Sequence, residues 1–133
     1  MISFGVRTSQ RAEFIDITDE VARAVQESGV TDGLAAIFVP HTTAGVTINE
    51  NADPSVVRDI VSTLDKLVPR GGGYMHTEGN ADSHIKASMM GSSVQVIVDG
   101  GRLALGTWQG IYFCEFDGPR SRKVWVEVRG IAK

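Results

Sequence analysis

The run from Gly110 to Val128, GIYFCEFDGPRSRKVWVEV, constrains this chain more than any other stretch. Two strand-length segments flank Asp117-Gly118-Pro119, residue types that supply turn geometry. In KVWVEV the residues Val124, Val126 and Val128 share one face, while Trp125, Glu127 and Arg129 take the other. That period of two marks a half-buried strand. GIYFCEF is apolar on both faces, so a second layer or a partner subunit is expected to cover its outer side. Within it Glu115 shares a face with Ile111 and Phe113, which points it inward and leaves it in need of a partner.

The rest of the chain supplies further strands and inserted helices. VQVIV and RLALGTW surround Asp99-Gly100-Gly101 and complete a wholly β final third. At the other end, ISFGVRT and AEFIDI around Ser9-Gln10 read as a first hairpin, and GLAAIFVP and AGVTINE as two later strands. A first helix is predicted from Thr18 as N-cap, with Asp19 and Glu20 in its first turn and Gly29 closing it. The second starts with Asp53 as cap and Pro54 as first residue. It carries the stripe Val57, Ile60, Val61, Leu64 and Leu67 and stops at Pro69. RGGGY is a flexible connection, and a short third helix runs from near Asp82 to Gly91 with Ile85 and Met89 on one face. The reading is one α+β domain over residues 1–133, mostly antiparallel strands with the helices in the first two-thirds.

Composition removes several classes of function. The formal net charge of -3 disfavours a chain-wide affinity for nucleic acid or anionic membrane. No window approaches the roughly 18 apolar residues of a membrane span, and the first residues lack the pattern of a signal peptide. A single cysteine, Cys114, forbids an intramolecular disulfide, so a reducing cytoplasm is expected. Cys114 has no nucleophile motif around it and reads as core.

The chemistry concentrates in two polar segments that hold all three histidines. In PHTTAGVTINENADP, His41 follows an apolar strand with Thr42 and Thr43 beside it, and Glu50, Asn51 and Asp53 return polar groups after the next strand. In HTEGNADSH, Gly79 and Asn80 make a bend that can turn His76 back toward His84, while Asn80 or Asp82 caps the helix that follows. Three neutral imidazoles converging on one point suit Zn²⁺ or a similar metal with an open position; a histidine-lined anion site and, last, unrelated surface histidines are the alternatives. Glu78 or Asp82 could hydrogen-bond a ligating imidazole from outside. Beyond these, Arg120 beside Gly118-Pro119 has the planar fork that holds phosphate or carboxylate.

Taken together, PHTTAGVTINENADP, HTEGNADSHIKASMMGSS and LALGTWQGIYFCEFDGPR resemble the YjbQ family, of which many members are labelled secondary thiamine-phosphate synthases. The resemblance spans nearly the whole chain. It implies a compact α/β sandwich assembling as a homotrimer, and a site built on His41, His76 and His84 with a divalent metal, for which the imidazoles favour zinc. It also implies transfer of a pyrimidine methyl group from its diphosphate to a thiazole phosphate. Glu115, Arg120 and Asp82 are the expected catalytic groups beside the metal, and Trp108 could stack on a ring. Two competing expectations are a metal-dependent hydrolase of a small anionic substrate, with Glu78, Asp82 or Glu115 as base, and a trimeric metal- or metabolite-binding protein without turnover.

Overall fold

The computed structural model describes residues 1–132. In chain order its elements are β1 (Ile2–Arg7), β2 (Glu13–Asp16), α1 (Thr18–Ser28), β3 (Gly33–Phe38) and β4 (Ala44–Glu50). There follow α2 (Pro54–Leu67), α3 (Ala81–Met90), β5 (Ser93–Asp99), β6 (Arg102–Leu103), β7 (Gln109–Glu115) and β8 (Ser121–Gly130). The strands form two antiparallel sheets: a five-stranded one in the order β1-β8-β3-β5-β6 and a three-stranded one in the order β2-β7-β4. The sheets bury their facing sides in one core, where Ile37, Val98, Val124 and Val126 meet Val46, Ile111 and Phe113. Val21, Ala24 and Val25 bring α1 into the same core, against β6 and β8 of the large sheet and β7 of the small one. Among the described residues no helix is long and apolar enough to cross a membrane.

The two-sided apolar pattern of β7 has its explanation in a third layer. Its outer residues Tyr112 and Cys114 are covered by Leu64 of α2 and Ala87 of α3, with Phe14, Val57, Ile60 and Met90 around them. The layer that β7 requires is therefore helical and lies within the chain. A different face stays bare: the outer side of the large sheet exposes Leu34, Phe38 and Ile97, and Phe38 stacks on Trp125 with ring centroids 5.7 Å apart.

Several local expectations are corrected. The first two strands do not form a hairpin, because β1 pairs with β8 and β2 with β7. Likewise the Asp117-Gly118-Pro119 turn carries the chain from the small sheet to the large one. A turn motif fixes a reversal of direction but not which sheet receives the next strand. The two crossings lie side by side: Thr8 N–H donates to Arg120 O at 2.9 Å, and Gly118 N–H to Arg11 O at 3.0 Å. Thr18 does not cap α1; its hydroxyl accepts the Ile111 N–H, 2.9 Å, and donates to Asp16. Asp53 does cap α2, accepting the Ser55 N–H at 2.9 Å. In α3 the buried face is not the Ile85–Met89 side, which is largely exposed, but Ala81, Asp82, Ser83, Lys86 and Ala87. Its polar members are paired across the packing, and that pairing overrides the apolar pattern.

Gly118 is required where the crossings touch. A Cβ there would lie 2.3 Å from Gln10 O and 2.8 Å from the Thr8 hydroxyl, closer than non-bonded atoms tolerate. Gly118→Ala is expected to lower stability by about 1–3 kcal/mol, read as a lower urea midpoint at unchanged slope.

Candidate functional site

β3 stops pairing with β8 at Phe38, opposite Trp125; two residues further the same register would set Pro40 opposite Lys123. Proline ends the ladder there. The His41 ring instead takes the strand's open donor: Lys123 N–H donates to His41 Nε2 at 2.9 Å. The neutral ring accordingly carries its proton on Nδ1. Burial and the neighbouring Arg122 cation hold the His41 pKa below its ordinary value, against a smaller opposing effect of Glu115, so the ring is neutral at pH 7.

His41 opens onto a polar cavity of about 590 Å³ whose walls include Thr43, Asn80, His84, Arg120 and Arg122. Glu78 and Asp117 also line it. A second lobe of about 500 Å³ shares His41, Thr42, His84 and Ser92 with the first, and is completed by the small residues Ala44, Ala87, Ser88 and Gly91. Those small walls follow from the close approach of α3 to β4: a Cβ at Gly45 would come within 2.6 Å of Gly91 O. His41 and His84 thus stand on the boundary between two lobes.

One wall is a hydrogen-bonded chain. Arg120 Nη2 donates to Asp117 Oδ2 at 3.0 Å, Asn80 Nδ2 donates to the same oxygen at 2.9 Å, and Asn80 Oδ1 lies 3.0 Å from His76 Nε2. The amide so oriented makes His76 the donor at Nε2 and leaves its Nδ1 lone pair open. Asn80 stands at the cap position of α3 but makes no capping bond, because its side chain is used in this chain. Burial acts to raise the Asp117 pKa, but the bonds from Asn80 and Arg120 outweigh it, and the carboxylate stays ionised. The His76 and His84 rings meet edge to face with centroids 5.2 Å apart. The His84 ring makes no hydrogen bond among the described residues.

The expected catalytic carboxylates lie elsewhere. Glu115 is fully buried and accepts five donors: Arg122 Nε and Nη2, Thr8 Oγ1, and the N–H groups of Phe116 and Asp117. Burial pushes its pKa up, but these bonds, Arg122 first, overcome that and hold it below the usual carboxylate range. Asp82 is equally buried and is held by Arg11 at 3.1 Å and Lys86 at 3.3 Å, again with its pKa lowered against the effect of burial. Neither carboxylate lines the cavity. Glu115, saturated with donors, has no lone pair left for a substrate proton, and Asp82 is tied to two cations away from the cavity, so the geometry gives both the work of fixing the walls. Glu115 holds the second crossing to β8, and Asp82 holds α3 to the first crossing and, through Lys86, to Asp65 of α2. Arg120 does reach the cavity. Trp108, exposed, does not, and Glu50 lies at the far end of β4.

Arg122 is the cavity residue that the sequence reading passed over. It is only 6% exposed, yet it lines the wall beside His41. The period of β8 would have found it, since Arg122 lies in the inward series of Val124, Val126 and Val128.

The donor set can be tested against the metal that the resemblance implies. His76 has an open Nδ1 and His84 two unengaged ring nitrogens, so both suit a divalent ion. His41 does not, because its Nε2 lone pair is occupied and its Nδ1 is protonated. Among the described residues no three His, Cys, Asp or Glu side chains stand where they could hold a metal together. The three histidines expected to converge stand as an edge-to-face pair, His76 and His84, with the His41 ring bonded to the backbone of β8.

Fold and cavity define a class: a two-sheet antiparallel sandwich with a helical outer layer and a histidine-lined polar site at its sheet crossings. The chain belongs to the UPF0047 YjbQ-like family, whose model it matches over residues 2–131. It is 51% identical to a UPF0047 protein of Methanocaldococcus jannaschii over 98% of this chain and 94% of that one. To the Bacillus subtilis UPF0047 protein YugU it is 53% identical, covering 94% and 96% of the two chains. The crystal structure of a YjbQ/UPF0047 protein from Clostridium acetobutylicum superimposes with a TM-score of 0.95 at 61% identity, over 97% of this chain and all of that one. A YjbQ-like protein from Sulfolobus solfataricus superimposes at 0.93 with 34% identity, over 98% and 96%.

Proposed function

We propose that this chain is a small transferase of the thiamine-phosphate synthase type, acting on phosphorylated substrates with the help of a divalent metal. What supports the reading is one arrangement: His84, Asn80, Arg120 and Arg122 line a single polar cavity, with His76 edge-on to His84. In the reaction the C–O bond between a pyrimidine methylene and its diphosphate breaks, and diphosphate leaves with the electron pair. The thiazole nitrogen then donates its lone pair to the methylene, giving thiamine phosphate. Two substrates must be held in register, and the paired lobes offer room on either side of His84. Arg120, held in place by Asp117, presents a cation to a phosphate group. His76 and His84 would hold the metal, zinc foremost, which when bound supplies positive charge to the departing diphosphate.

A second reading has its own observation. Glu78, an exposed carboxylate, lines the cavity, lies 3.7 Å from His76 and is free of buried partners, as a base acting on water must be. In that case the protein is a hydrolase. The experiment is a product assay with purified chain and added zinc, magnesium or manganese. The transfer reading predicts product only when both substrates are present; conversion of one substrate with water would replace it with the hydrolase. Ligand binding without turnover in either assay would leave a binding protein and overturn both enzymatic readings.

The reading includes a cytoplasmic homotrimer. Its support is the bare outer face of the large sheet, where Leu34, Phe38, Ile97 and Trp125 make an apolar stripe that a second copy could cover, together with the lone buried thiol of Cys114. Light scattering should give three times the chain mass, and Trp125→Glu should lower it; a monomeric wild type would contradict this part.

A further inference from the structure

The cavity contains two hydrogen-bond donors that the protein itself leaves unused. The four Arg122 side-chain bonds run to Glu115 and Thr43 through Nε and Nη2, while Nη1 has no acceptor among the described residues. Among the described residues no buried side-chain nitrogen or oxygen is both sealed from solvent and unpaired. Nη1 is therefore reached from outside, and Arg122 lines the cavity. The other donor is His41 Nδ1–H, its tautomer set by the Lys123 N–H at Nε2. Both are held without freedom of their own. The guanidinium is clamped by Glu115 and Thr43, and the imidazole is pinned to β8 beside Arg122 itself.

We propose that His41 Nδ1–H and Arg122 Nη1 together form an anion anchor on the cavity wall, which receives a phosphate or diphosphate group. The assignment rests on the reading above only in that the cavity takes a phosphorylated ligand, not on any turnover. Two facts favour an anion over a neutral acceptor. The guanidinium is cationic, and the single carboxylate opposing it is already shared among five donors, more than its roughly four lone-pair sites serve. An anion held at a fixed, buried guanidinium costs little ordering of the protein, because the side chain is already clamped by Glu115 and Thr43. The ligand's remaining, uncharged part would extend past His41 and His84 into the lobe walled by Ala44, Ala87, Ser88 and Gly91. The chemistry recognised is that of a phosphorylated small molecule with an uncharged body.

Asparagine and glutamine separate the two nitrogens of His41. Asn places an amide N–H near the position of Nδ1, whereas Gln reaches the position of Nε2 and leaves no donor at Nδ1. Binding of inorganic diphosphate to chelator-treated protein would be measured by calorimetry for wild type, His41→Asn, His41→Gln and Arg122→Lys. The anchor predicts binding without metal. His41→Asn should retain affinity within about threefold, while His41→Gln and Arg122→Lys should each lose about tenfold or more, in line with the loss of a charge-assisted or fixed donor. If Arg122→Lys fails to fold, the two His41 variants carry the test alone. Equal affinity of His41→Gln and wild type would overturn the anchor and leave the transfer reading intact. Binding that requires zinc, with zinc content lost in both His41 variants, would return His41 to the metal and overturn the anchor as well. The predicted pattern in a protein that shows no turnover would keep the anchor and remove the enzymatic reading instead.

Discussion

Glu115→Ala is expected to lower the stability of the fold by about 3–5 kcal/mol, the cost of leaving one member of a buried ion pair alone. Arg122 would remain as a buried cation with only Thr43 to accept from it, Asp117 N–H would lose its acceptor, and Thr8 Oγ1 and Phe116 N–H would keep only Arg120 O and Thr43 O. These groups lie on both crossings between the sheets, so the damage would reach the cavity wall as well as the core. Glu115→Gln should be milder, since the amide oxygen keeps an acceptor. Acid provides a second readout. The Glu115 pKa in the folded chain lies below its ordinary value of 4.5. Its contribution is therefore fully present above that value and is lost as pH falls through the lower, folded value. Urea unfolding of the wild type from pH 7 down to pH 3 should show a decline that is shallower in Glu115→Gln. Parallel declines in the two proteins would show that the carboxylate does not carry this stability.

His84→Ala is expected to leave stability within about 0.5 kcal/mol, as at surface sites whose side chain holds nothing else in place. Its ring makes an edge contact with His76 and no hydrogen bond among the described residues. Turnover under the transfer reading should nevertheless fall by about 10²–10⁴-fold, the usual effect of removing a positioned group that manages charge or protons in the transition state. The combination discriminates between roles. A packing residue would lose stability first, while a residue that faces both lobes and touches little loses function alone. Matched urea curves and single-time-point product assays on the two proteins suffice to read it.

Much of the fold was legible because period and punctuation acted locally. Val124, Val126 and Val128 did face the core, Asp53 and Pro54 did open a helix, and AGVTINE is β4 to the residue. What could not be read was which sheet a strand joins after a turn, as with the crossings after Arg7 and Glu115, because that choice is made by the assembled core. The same limit governed α3. Its Ile85 and Met89 share one face that stays largely exposed, while Asp82, Ser83 and Lys86 bury through partners far along the chain. At the site, sequence singled out His41, His84, Asn80 and Arg120, and one cavity unites them. It could not show that Asp82 and Glu115 are already engaged, since their donors at Arg11, Thr8 and Arg122 come from other elements. Nor could it show the tautomer of His41, which depends on a single backbone N–H on β8.

Only three histidines exist in the chain, so their imidazole Cε1–Hε1 resonances give three peaks that report the central claim directly. Inorganic diphosphate would be titrated into ¹³C-labelled protein at pH 7, first without metal and then with zinc, with His41→Gln and His84→Ala assigning the peaks. The account predicts that His41 and His84 shift saturably with diphosphate alone, and that zinc then moves His76 and His84 while His41 stays where diphosphate left it. Three peaks unmoved by millimolar diphosphate, with or without zinc, would contradict the assignment of this cavity as a phosphate-binding reactive centre.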